Sequence, residues 1–148
     1  MCGDVRAFSP AETVALAGEH HVEYVSERGH YRLAYVETDP VPAGGRVVNT
    51  RLLTQRLDED GVPLAAPVEL HGNDSLLPVK RNAAFAYSPT SDTVLFVWEA
   101  RETVESTLAS VVARVLFGDD SPFDQQPSFF MPSLRVARPR VAHNAARN

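Results

Sequence analysis

The stretch AFAYSPTSDTVLFVWEA, residues 84–100, carries the reading of the chain. Ala84 to Tyr87 alternate, Ser88 to Asp92 make a turn, and an apolar run follows into Trp98, the single tryptophan. Period-two patterning on both sides of a Ser/Pro/Asp turn is the signal of a β-hairpin. A second stretch of the same design, VEYVSERGHYRLAYVE, occupies residues 22–37. There Val22, Tyr24, Tyr31, Leu33 and Tyr35 alternate with more polar neighbours around a turn at Glu27-Arg28-Gly29. Aligned without a gap, 62 residues apart, Ser26 meets Ser88, Leu33 meets Leu95, Val36 meets Trp98 and Glu37 meets Glu99.

The segments between extend the pattern. Ser9-Pro10-Ala11-Glu12 has the order of a helix start, and Gly18 ends that stretch. Thr38 to Gly45 is a Pro/Gly loop. Residues 46–57, RVVNTRLLTQRL, predict a third strand, and Asp58-Glu59-Asp60-Gly61 a tight turn. Residues 62–70, VPLAAPVEL, predict a fourth strand at a sheet edge, because Pro63 and Pro67 remove ladder donors. His71 to Ser75 reads as a loop. Near the end of the second half, VLFGDDS (115–121) matches QRLDEDG (55–61), 60 residues apart. Each half is thus hairpin, loop, long strand and acidic turn. An internal repeat decides fold class before any local detail does. Residues 122–148 depart from it. They run through the Pro-rich SPFDQQPSFFMPSL into a tail bearing Arg135, Arg138, Arg140 and Arg147 and no acid. The chain divides into an N-terminal segment (1–19), a β domain (20–126) of two halves (20–72 and 80–126), and an extended Pro/Arg-rich arm (127–148).

With these residues in view, the chain resembles the blade repeats of bacterial-type β-propeller proteins over residues 20–121. The pieces that carry the resemblance are Asp58 to Pro63, Pro67-Val68, Ala84 to Tyr87, Ser91-Asp92 and Val97-Trp98-Glu99. The resemblance implies about two four-stranded antiparallel blades. Propellers close with about 4–8 blades, so two leave an apolar flank open on each side. The fold class expected is all-β and antiparallel, as a partial propeller or as a compact β-sandwich or barrel.

The net charge of −5 gives no general attraction for nucleic acid or an anionic membrane. No run reaches the length of a membrane span. No signal peptide is read, which favours an intracellular location. Cys2, the lone cysteine, excludes an internal disulfide and reads as a thiol at the chain end.

No catalytic constellation is visible, and no cofactor is expected. There is no Gly-x-Ser-x-Gly and no Gly-rich phosphate loop. Asp58-Glu59-Asp60-Gly61 begins like a calcium loop, but the further ligands lie across a strand, so an acidic hairpin turn is the better reading. Asp119, Asp120 and Asp124 read the same way. His20, His21, His30, His71 and His143 form no ligand spacing. Trp98 offers a sugar platform, though its apolar surroundings favour a core or interface role, and Tyr31, Tyr35 and Phe96 read as packing. Phe129, Phe130 and Met131 with Arg135, Arg138 and Arg140 make an apolar-basic segment suited to a neighbour's sheet edge or groove. The expected function is a non-catalytic structural or protein-interaction module, assembling with itself or within a larger complex. A carbohydrate- or calcium-linked binding module is the alternative, and a small hydrolase the second.

Overall fold

The described residues form eight strands: β1 (Ala17–Val25), β2 (His30–Thr38), β3 (Thr50–Leu57), β4 (Val68–His71), β5 (Val79–Ser88), β6 (Thr93–Arg101), β7 (Leu108–Phe117) and β8 (Met131–Arg135). The structure is a computed structural model that describes residues 17–38, 49–72, 76–123, 131–135 and 138–143. Among the described residues the only helical piece is one 3-10 turn, Ser26–Arg28. The fold is all-β. The strands form two four-stranded antiparallel sheets in sequential order, β1-β2-β3-β4 and β5-β6-β7-β8, and the sheets do not merge into a barrel.

Two stretches differ from the sequence expectation for physical reasons. The fourth strand begins only at Val68, after Pro67, and Pro63 contributes an isolated bridge to Leu57. A proline cannot donate to the ladder, so the pairing starts beyond both prolines, on an edge strand as expected. The Pro-rich stretch after residue 122, poor in alternation, nonetheless supplies β8, which pairs with β7 at Val111↔Met131 and Leu108↔Arg135. The helix start at Ser9 and much of the loop after Thr38 lie outside the described residues.

The turns of the two sheets correspond closely. Val25↔His30 closes the first hairpin over Ser26–Gly29, and Ser88↔Thr93 closes the second over Pro89–Asp92. The last loop residue is left-handed in both, Gly29 with φ 61° and Asp92 with φ 49°. After the third strand of each sheet, Asp58 N donates to Val62 O at 2.8 Å, and Phe117 N to Ser121 O at 3.0 Å. Gly61 (φ 81°) and Asp120 (φ 75°) hold the same place in those turns. Bridges Leu57↔Pro63 and Leu116↔Pro122 follow. By this register Leu33 corresponds to Phe96, one residue beyond the Leu95 that the sequence alignment gives it. After the third strands Leu57 corresponds to Leu116, one residue short of the Phe117 that the sequence alignment gives it. One residue matters because it exchanges the two faces of a strand.

The sheets pack face to face, with β5 lying against β1, β2 and β3. Ala34, Val36 and Leu52 of the first sheet meet Phe85, Val94, Phe96, Trp98 and Leu116 of the second in one core. These are opposite faces. The first-sheet residues in register with Val94, Phe96 and Trp98 are Tyr31, Leu33 and Tyr35, which alternate with the buried Arg32, Ala34 and Val36 and so point away from the core. The alternating stripe that the sequence makes prominent is therefore the outward one.

Charge is buried at the seam. Arg32 is 1% exposed. Its guanidinium pairs with Asp120 and donates to Gly118 O at 3.0 Å, and its Cζ sits 5.8 Å from the Phe96 ring centre. Arg56 Nε donates to the other oxygen of Asp120 at 2.6 Å. At the rim Arg28 pairs with Asp92, and Tyr87 donates to the same carboxylate at 2.9 Å. Arg28 holds the Asp92 carboxyl below the usual range, with Tyr87 adding to the effect. A Cβ on Gly118 would collide with Asp92 Oδ1. Arg114 ties the sheets in the other direction, donating to the carbonyls of Glu69 and Leu70 at 2.9 Å.

Asn tolerates the left-handed backbone at position 120, so D120N removes charge without backbone strain. It leaves two arginines short of their carboxylate and is expected to cost about 3–5 kcal/mol in urea unfolding; a loss under about 1 kcal/mol would show that the pair is not truly desolvated. His30, 5% exposed, lies on the same face. Burial holds its imidazole below the ordinary range, and Arg32 and Arg56 add to this while a backbone hydrogen bond and Asp120 oppose it. Its contribution is complete above the unfolded value of about 6.5 and declines below it, as the unfolded chain takes up the proton first. Unfolding free energy is expected to fall from pH 7 to pH 5.5, with a smaller fall in H30Q; an equal fall in H30Q would assign the slope to other groups.

Candidate interaction surface

The outward face of the first sheet is built by β1, β2 and β3. Pairings Tyr24↔Tyr31, Val22↔Leu33 and Tyr35↔Leu53 bring three tyrosines, two leucines and a valine onto one surface. Val22 is 49% and Tyr24 42% exposed, while Tyr31, Leu33, Tyr35 and Leu53 are half-buried. The Tyr24 and Tyr31 rings lie 4.9 Å apart and tilted. Tyr24 donates to Glu59 Oε1 at 3.3 Å. Loss of hydration, and then the Glu59 carboxylate, hold the Tyr24 phenol above its ordinary range. Burial and Glu37 do the same for Tyr35, against Arg51. Both phenols therefore stay neutral donors near neutral pH. The Glu37–Arg51 ion pair borders the face.

The residues singled out from sequence are scattered. Trp98 is 2% exposed, and its indole N–H donates to His71 Nδ1 at 3.0 Å, so it packs between the sheets and offers no platform to solvent. Met131 and Arg135 lie in β8, within the chain's own second sheet. Arg138 and Arg140 are exposed and line an open cleft of about 680 Å³ with Glu19, His20, His21 and Asn82, beside β1. Phe129, Phe130 and Cys2 lie outside the described residues.

The acidic turns are occupied by their own neighbours. Asp58 Oδ1 accepts from the backbone N–H of Asp60 and of Val62, at 3.0 and 2.8 Å. Asp119 Oδ1 accepts from the N–H and hydroxyl of Ser121 at 2.9 and 2.6 Å, which holds its carboxyl below the usual range. Asp120 serves two arginines. Among the described residues no three His, Cys, Asp or Glu side chains come together as a metal site would need. No helix among them is long and apolar enough to cross a membrane. Comparison of the chain with known protein families, with characterised proteins and with solved structures finds no match.

Sequence reasoning missed the seam. Arg28, Asp92 and Asp120 read from sequence only as turn residues, and nothing there singles out Arg32 or Arg56. The signal was parity: Arg32 shares its phase with Ala34 and Val36, so burying them buries it. The buried tryptophan gives a direct check. Emission from Trp98 is expected at short wavelength, weakly quenched by acrylamide, and unmoved by glycans until the chain unfolds. Strong quenching in the native chain would place the indole at the surface instead.

Proposed function

We propose that this chain is a non-catalytic assembly module made of two β-propeller-type blades, joined to a protein partner or to further copies through its open sheet faces. The observation that supports this best is the outward face of the first sheet. It carries Val22, Tyr24, Tyr31, Leu33, Tyr35 and Leu53, where a surface meant only for water would alternate to polar side chains. Large exposed aromatic patches mark interaction surfaces, and tyrosine is well suited to them, with an apolar ring and a polar tip. The matched strand order and turns of the two sheets support the blade reading. A pair of blades is a fraction of the four to eight that close a ring. Beyond β8, which the chain keeps in its own second sheet, the exposed Arg138 and Arg140 supply a second contact to a neighbour.

Light scattering over a range of concentrations tests the proposal. A mass above the 16.2 kDa of one chain is expected, rising with concentration. The pair Y24E and L33E is expected to return it to one chain while circular dichroism keeps its β signature. A monomer at every concentration, with solubility and mass the same in the variants, would overturn the reading.

A further inference from the structure

We propose that the partner of the open tyrosine face is the outward face of the second sheet of another copy, so that chains join head to tail. The inference rests on the assembly reading above and specifies its geometry. Within one chain the second sheet presents Phe85, Tyr87, Phe96, Trp98 and Val112 to the first. The register places Val22, Tyr24, Leu33, Tyr35 and Leu53 at the corresponding positions of the first sheet. Each is apolar or aromatic, and they lie on the outward face. The first sheet in turn presents Arg32, Ala34, Leu52, Thr54 and Arg56 at the seam. The corresponding outward residues of the second sheet are Leu95, Val97, Val111, Ala113 and Val115. Leu95, Val97, Val111 and Val115 remain half-buried, with surface still to lose.

The chain thus carries one stacking surface buried inside it and a second of matching design split between its two outer faces. Contacts of the internal seam map onto the new one. Arg32 over Phe96 becomes Leu95 over Leu33 of the second copy. Arg28 beside Tyr87 becomes Ser91 beside Tyr24. His21 against Phe85, 4.8 Å between ring centres, becomes Ala84 against Val22.

The charge pattern favours a second copy as the occupant. At the internal seam two arginines meet Asp120. At the outer seam the arginine positions hold Leu95 and Val115, and the aspartate position holds Gly61. Both halves of the ionic clamp are replaced together. A lone arginine on one face, or a lone aspartate on the other, would bury an unpaired charge and forbid the contact. Two first-sheet faces meeting each other would make an isologous pair, whereas unlike faces make a heterologous contact that closes into a ring or runs on as a filament.

The test uses single-cysteine chains in a C2S background, L33C and L95C, alone and mixed, with a short bismaleimide linker. Far-ultraviolet circular dichroism checks that each variant is folded, and Y24C with S91C replaces the pair if either is not. The mixture is expected to give a linked pair containing one chain of each kind, at least tenfold above either variant alone. L33C linking to itself, or L95C to itself, would overturn the head-to-tail geometry while leaving assembly standing. Association by light scattering with no linkage in any combination would place the contact on another surface and overturn it too. A monomer throughout would remove both the geometry and the assembly reading.

Discussion

A single carboxylate, Asp120, holds the two sheets in register. It receives Arg32 and Arg56 from neighbouring strands of the first sheet, while sitting in a turn of the second. Two cations converge on one buried anion, with Gly118 O and the Phe96 ring taking up part of the remaining demand of Arg32. Hydrophobic contact alone is non-directional and lets sheets slide. A desolvated ion pair with fixed hydrogen-bond geometry does not, since any slide strands a charge in the interior. The core of Val36, Leu52, Phe85, Phe96 and Trp98 supplies the attraction, and the Asp120 clamp selects one stacking from those the core would allow.

That stacking uses opposite faces of two sheets with corresponding turns. The arrangement has a direction, as a row of similar plates has a front and a back. A back-to-back sandwich consumes both apolar faces and leaves polar surfaces outside. This chain consumes one face of each sheet and leaves the tyrosine face of the first and the Leu95–Val115 face of the second at its two ends. The exposure of Val22 and Tyr24 is the direct result of the parity of the strands, with no defect of packing behind it.

Much of the architecture was legible in the sequence. The two hairpins, the acidic turns, the proline-rich edge and the all-β class follow from period-two patterning and turn chemistry, which act within a few residues. The phase was not legible. The alignment of Leu33 with Leu95 keeps odd with odd, because hydrophobic matching pairs like with like. The pairing register instead places Leu33 with Phe96, because both hairpins close over loops of equal length. The slip arises because the buried faces are opposite ones: burial repeats with one phase and backbone pairing with the other. Arg32 and Asp120 were hidden for a different reason. Their partnership spans 88 residues, and no local pattern reports it. The C-terminal strand was masked by Pro132, which disguises Met131–Arg135 as irregular arm.

Gly118 shows how tightly that seam constrains change over time. The place its Cβ would take is filled by Asp92 Oδ1, with Arg28 Nη2 3.0 Å away. Arg28 and Tyr87 both hold the Asp92 carboxylate at this half-exposed rim, so moving it aside gives up those contacts. Any side chain at 118 is therefore unfavourable while Asp92 stands, and admissible once Asp92 has been shortened. The two positions are coupled in order as well as in outcome. A lineage can lose the rim pair first and fill position 118 afterwards, but the reverse path passes through a strained intermediate. Sequence drift across this turn is accordingly gated, one substitution acting as the permission for the next.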